Sequence, residues 1–389
     1  MIRVCNVCDK EDLKIVYESH DNLSVTTMNK LISGQTTVRF CDNCGHLQTD
    51  ELNDLKTFYA EEYEINLNSA EEDQLYAIID KIPVYRSEHQ ANVLLKKVKL
   101  SNGTRVLDYG CAKSQTLKNV MAKNSNINPF FYDVTDKYIS FWESLAPNEN
   151  WSTHTPNPAW RGTMDVVLSF YALEHVADLH EALDNIKKML KVGGIFYFLV
   201  PNAYKNIADF VVADHVNHFS KVSLHYLLSR HGFSNIDIDE EIHGSAFVVR
   251  ASLISSKDKE EIILSEDLQQ KIPKLKHTAL KMSNYWTNII DRIQHFEREV
   301  AEDQLAVYGA GFYGNFIAAA MKNPKKITCF IDQNKHLIDS KINGKPVLSP
   351  ENIPKKVRHI FVGMNPEHAK ENIEQIEALK VYDLNYFFL

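Results

Sequence analysis

Four cysteines near the start of the chain fall in two Cys-x-x-Cys pairs, Cys5 with Cys8 and Cys41 with Cys44. Two chelating turns of soft sulfur ligands are the usual supply for a tetrahedral zinc ion. Four thiolates leave no position open for water, so the expected role of the metal is structural. The stretch between the pairs, residues 9 to 40, is longer than the common zinc-ribbon spacing. His46 is an unneeded further donor and is read as a surface histidine. Cys111 and Cys329 stand alone in strand-like segments.

A second group is the turn Asp108-Tyr109-Gly110-Cys111-Ala112-Lys113-Ser114, fed by the apolar Val106-Leu107. Gly110 lets the chain pass close to a ligand, and the small Ala112 and Ser114 still permit approach. Asp133 ends the next apolar run, Pro129-Phe130-Phe131-Tyr132, where a carboxylate can accept both hydroxyls of a ribose. Histidine is the side chain suited to proton transfer near neutral pH. It occurs at His175, in Asp214-His215-Val216-Asn217-His218-Phe219-Ser220, and at His243-Gly244. Asp214 beside His215 could form a carboxylate–imidazole arrangement if a turn brings them together. His215 is the leading candidate base. His175 is a second candidate that could instead position a cofactor, and His218 and His243 are candidate substrate contacts.

Near the end of the chain, Gly309, Gly311 and Gly314 form a Gly-x-Gly-x-x-Gly after the apolar run Leu305–Tyr308, and Asp332 follows Cys329-Phe330-Ile331. Between strand and helix this pattern holds phosphates at a helix N-terminus. The glycines would also serve any tight strand–helix turn.

These residues need elements to position them. Residues 1 to about 55 are turn-rich, with too few apolar side chains to fold unaided. Residues 57–98 read as helical, and residues 104–200 alternate strand and helix in the α/β manner. A helix is expected around 178–190, stopping at Gly193-Gly194, with strands over 195–200 and 246–254 and a helix over 220–231. Residues 257–300 have apolar residues at helical spacing interrupted by Pro273, which predicts a long connecting helix or a helical hairpin. The expected division is a zinc-binding unit (1–56), a central α/β domain (57–255), a helical connector (256–302) and a C-terminal Rossmann-like α/β domain (303–389).

Composition bounds the partners. With 389 residues, 44% hydrophobic and 24% charged, the chain is globular and long enough for two or three domains. A net charge of -8 argues against general nucleic-acid binding. No apolar run approaches the roughly 20 residues of a membrane span, and the start lacks the layout of a signal peptide, so a cytoplasmic location is expected. Oligomeric state stays open.

The central segment resembles class I methyltransferases that use S-adenosylmethionine. The resemblance rests on Asp108 and Gly110, on Leu173-Glu174-His175 followed by Asp178, and on Lys191-Val192-Gly193-Gly194 before an apolar strand. That family usually has glycine where this chain has Ala112 and Ser114. The resemblance implies a class I Rossmann-like core. In it Asp108 would hold the cofactor's ammonium, Gly110 and Ala112 its methionine part, Asp133 its ribose, and Tyr171 a place beside it. The order of four-cysteine segment, methyltransferase core and smaller α/β tail further resembles the sugar C-methyltransferases of deoxysugar biosynthesis. The matching residues are the paired cysteines, Phe58-Tyr59-Ala60-Glu61-Glu62-Tyr63, Asp214-His215 before Phe219-Ser220, and His243-Gly244. That likeness implies base-assisted enolate formation on a nucleotide-linked keto sugar, with His215 as base and Asp214 as counterpart of the family's glutamate. Tyr63 and Tyr76 become pocket tyrosines, and the C-terminal glycine loop would help hold the nucleotide diphosphate. The family often has a tyrosine where this chain has Val212. Two other functions stay open: an oxygen- or nitrogen-methylating enzyme of polysaccharide assembly, and a nicotinamide-dependent enzyme or binding module using the C-terminal glycines.

Overall fold

The computed structural model describes residues 3–19, 24–28, 30–32, 34–51, 73–254 and 262–389. Tyr63, with the segment from Phe58 that precedes it, lies outside these residues. The central sheet has seven strands in the order Trp151–Thr153, Asn128–Asp133, Arg105–Tyr109, Met164–Phe170, Leu190–Pro201, Ala246–Leu253 and Phe233–Asp239. The first five run parallel, and Ala246–Leu253 pairs antiparallel with both of its neighbours. This is the methyltransferase form of the Rossmann-like α/β fold. Its inner strands read as continuous apolar runs because helices cover both faces; Val106, Leu107, Val167 and Leu168 are all fully buried.

Local signals set the helices. Leu179–Met189 begins at Asp178, whose side chain accepts from Glu181 N at 2.8 Å. It buries Leu179, Ala182, Leu183 and Ile186, one face of a 3.6-residue repeat. Lys221–Arg230 starts from a capping box between Ser220 and Ser223. Among its described residues the connector holds a short helix, Glu266–Gln269, and one long helix, Ile272–Glu299. Pro273 stands in its first turn, where its missing N–H costs nothing, so the chain makes no hairpin there.

Two expectations fail. The helical reading of 57–98 holds only for Arg86–Lys97 among the described residues; before it, Leu75–Ile79 and Ile82–Tyr85 form an antiparallel hairpin. Its two-residue turn, Asp80-Lys81, has positive φ at both positions (50° and 66°) without the Asn-Gly or Asp-Gly signature of such turns. His46 is fully buried rather than on the surface, and its Nε2 meets Asn217 Oδ1 at 3.2 Å.

The N-terminal segment solves its lack of core by docking. Leu13–Glu18, Thr37–Cys41 and Leu47–Thr49 form a sheet whose fourth strand, Asn217–His218, comes from the central domain. The C-terminal residues build a six-stranded sheet centred on Leu305–Tyr308. Among the described residues no helix is long and apolar enough to cross a membrane.

Candidate active site

The parallel strands end together. Register pairs Asp108 with Phe131 and with Leu168, so the turns after Tyr109, Asp133 and Phe170 open on one crevice. A cavity of about 660 Å³ fills it, lined by Asp108, Gly110, Ala112, Asp133, Tyr171 and His175 among others. Five expected cofactor residues and one expected catalytic histidine therefore meet there. Gly110 is needed sterically: its φ is 72°, and a Cβ on it would stand 2.9 Å from that of Ala172. Ala112 and Ser114 adopt positive φ as well, 44° and 54°. These are the two positions where the family has glycine, so the loop keeps the shape and bears the strain.

The loop is fixed by its acids. Asp133 Oδ2 accepts from Ala112 N at 2.8 Å, and Oδ1 accepts from Thr135 N at 3.2 Å. Asp108 Oδ2 accepts from Ser114 Oγ at 2.5 Å. Asp108 Oδ1 is buried with no hydrogen-bond partner among the described residues. Burial raises this carboxyl to about 7, against the lowering effect of the Ser114 bond. An unmet carboxylate oxygen in a cavity wall suits an ammonium group, and Asp133 beside the same loop suits a ribose diol. The site therefore fits S-adenosylmethionine.

Behind His175 lies a buried cluster that sequence reasoning paired differently. Nδ1 of His215 bonds to Asp209, not to the adjacent Asp214, and Nδ1 of His218 meets the other Asp209 oxygen at 3.0 Å. Burial opposes ionisation of Asp209, but the two imidazoles outweigh it and hold the carboxyl far below its usual range. Burial likewise disfavours charge on His215, yet Asp209 raises its pKa to about 9. The His175 ring stands edge-on to that of His215, centroids 4.6 Å apart. Burial and the His215 charge lower its pKa to about 4. Asp214 accepts from Thr27 N at 2.7 Å and from Thr27 Oγ1 at 2.5 Å, and its carbonyl meets His175 Nδ1 at 3.0 Å. It ties the N-terminal unit to the site.

The remaining expected residues scatter. His218 is fully buried, with its second nitrogen on Thr49 Oγ1 at 2.8 Å, so both ring nitrogens are engaged. Tyr76 stacks on His89 at 4.0 Å between centroids, and its hydroxyl accepts from Gly244 N at 2.9 Å. His243 packs edge-on against Tyr76 and 6.2 Å from Tyr171, which joins this aromatic group to the cavity wall. Gly309 and Gly314 are not among the residues that line that cavity; they serve close packing. A Cβ on Gly309 would stand 2.3 Å from Gly363 O, and one on Gly314 1.9 Å from Gly309 O. Gly311 faces open space. Asp209 was not singled out from the sequence. Its only signal there is a lone acid set in the apolar run Ile207 to Ala213.

The four cysteine sulfurs gather at one point, all within 4.8 Å of one another. Cys5–Cys44 and Cys8–Cys41 are each 3.6 Å apart. Sulfurs bound tetrahedrally at zinc distances lie ~3.8 Å apart, so the set has the right size for that ion.

Residues 84–238 match the family described as "Methyltransferase domain". The chain is 26% identical over 229 residues to the C-methyltransferase NovU of Streptomyces niveus, covering 55% of this chain and 54% of that protein. It thus spans about half the length of that curated relative. Similar solved structures include the CurJ carbon methyltransferase, at 16% identity over 43% of this chain and 54% of that one, with a TM-score of 0.36. Another is an S-adenosylmethionine-dependent methyltransferase from Mesorhizobium loti, at 15% identity over 42% of this chain and 97% of that one, with a TM-score of 0.34.

Because Asp108 must be ionised to hold an ammonium, affinity for S-adenosylhomocysteine should fall about 5-fold from about pH 7 to about pH 6. Calorimetry of wild type and Asp108→Asn checks this. A flat pH dependence in the wild type would remove Asp108 from the ammonium site.

Proposed function

We propose, on the premise that residues 84–238 form a methyltransferase domain of the S-adenosylmethionine-dependent class, that the whole chain methylates a carbon of a nucleotide-linked keto sugar. The supporting observation is the His215 imidazole, oriented through Nδ1 by the buried Asp209 and set directly behind the cavity wall at His175. The relative named as a C-methyltransferase and the order of the chain's units support the same reading.

S-adenosylmethionine, held by Asp108, Asp133 and the Gly110–Ser114 turn, supplies an electrophilic methyl group. The chain's own work is to make a carbon nucleophilic. A carbon beside a carbonyl carries an acidic hydrogen, and neutral His215 removes it through the nitrogen that Asp209 does not occupy. Asp209 stabilises the imidazolium that results, as a buried carboxylate does for an oriented histidine. Tyr76 and His243 flank the crevice on the side of Tyr171 and shape the sugar's place.

The cysteine cluster holds structural zinc in this reading. Cys41 ends the strand Thr37–Cys41 of the sheet that shares Asn217–His218 with the central domain, so the metal would stiffen the segment carrying His215. Elemental analysis should find one zinc per folded chain. A well-folded Cys5→Ser variant without metal would refute a structural ion.

Mass spectrometry of offered nucleotide keto sugars should show a gain of one methylene mass after incubation with the methyl donor. His215→Ala should lower turnover by about 10²–10⁴-fold while donor affinity stays unchanged. Full activity in that variant would exclude His215 as the base.

A further inference from the structure

Glu174 belongs to the turn that resembles the methyltransferase family, yet it is not among the residues that line the cavity. It is 1% exposed, and neither carboxyl oxygen has a hydrogen-bond partner among the described residues. A carboxyl group buried without partners is costly, so its position needs a reason. Its neighbour is the imidazole pair: ligating atoms of Glu174, His175 and His215 all lie within 4.8 Å of one another.

We propose that Glu174 is a positioning residue for proton transfer, whose unpartnered carboxyl beside His215 sets how tightly that imidazole keeps its proton. The inference rests on His215 as the base.

The electrostatics are consistent with this geometry. Burial pushes the Glu174 carboxyl up to about 8, opposed in part by the charge on His215. His215, held at about 9, gains from Asp209 first and from Glu174 and Asp214 after it. Several other groups face this pair. His175 comes from the same turn as Glu174, and His218 from the shared strand. Arg86 and Tyr171 face Glu174 from the cavity side. As pH rises, Glu174 and His215 lose their protons over overlapping ranges. Each ionised carboxylate then delays the appearance of the neutral imidazole that acts as base. Asp209 orients the ring by a hydrogen bond; Glu174, without one, acts through its charge alone. The arrangement lets Glu174 tune the base without fixing it.

The test is the histidine titration of the full-length protein by NMR with labelled histidine, His215 being assigned by its loss in His215→Ala. In Glu174→Gln the His215 midpoint should fall by about one pH unit, and the acid limb of kcat/KM should move down with it. That is about a 10-fold larger neutral fraction at any pH on that limb. Glu174→Asp, which keeps the charge, should restore most of the shift. An unmoved His215 midpoint in folded Glu174→Gln would overturn the proposal. A shifted midpoint with an unshifted rate profile would uphold the Glu174–His215 coupling and refute His215 as the base.

Discussion

A carboxylate with no access to water and two imidazoles bonded to it governs this molecule. Asp209 is 3% exposed, and both of its oxygens are taken by histidines, His215 and His218. An isolated buried charge would cost far more than a folded domain could tolerate, so Asp209 forces its partners to stay close and oriented. His218 meets this demand as a wholly buried strut. His215 meets it while keeping one ring nitrogen free of Asp209 and near the cavity.

Every unit outside the central sheet braces this segment. From the N-terminal side, Thr49 bonds His218, Thr27 bonds Asp214, and Val25 bridges Val212. From the connector, Trp286 Nε1 donates to Ile207 O at 2.9 Å. From the C-terminal unit, the Tyr313 hydroxyl donates to Asn206 Oδ1 at 2.7 Å and accepts from Ala208 N at 3.2 Å. Tyr313 lies inside the Gly-x-Gly-x-x-Gly itself. The close approach of Gly309, Gly314 and Gly363 is what lets that helix sit tightly on its sheet and present Tyr313. The same backbone device appears in both glycine turns: a strand-end acid accepts from the loop, Asp133 from Ala112 and Asp332 from Ala310, each at 2.8 Å. In the central domain the turn opens on a cavity, and in the C-terminal unit its helix grips the segment next to Asp209.

The turn after Tyr109 that opens on the cavity was legible because its determinants are local. An apolar strand, an acid at its end and a glycine at positive φ lie within a few residues of one another. The paired cysteines were legible for the same reason. Other features depended on contacts between distant parts. Adjacency suggested Asp214 for His215, but the backbone turns so that Asp209 faces the ring and Asp214 faces Thr27. The hairpin over 75–85 hid because Asp80-Lys81 lacks the usual turn residues and its isoleucines match helical spacing equally well. His46 was misjudged because a short segment that docks on a larger domain buries residues its own composition would leave outside.

In the proposed reaction His215, set by Asp209, removes a proton from a carbon of the substrate. This step is tested most directly by hydrogen exchange in deuterated water, with S-adenosylhomocysteine in the cofactor's place so that no methyl can move. The wild-type protein should exchange one carbon-bound hydrogen of a nucleotide keto sugar for deuterium, and His215→Ala should not. Methyl transfer to the sugar by wild type, with no such exchange under these conditions, would contradict that step.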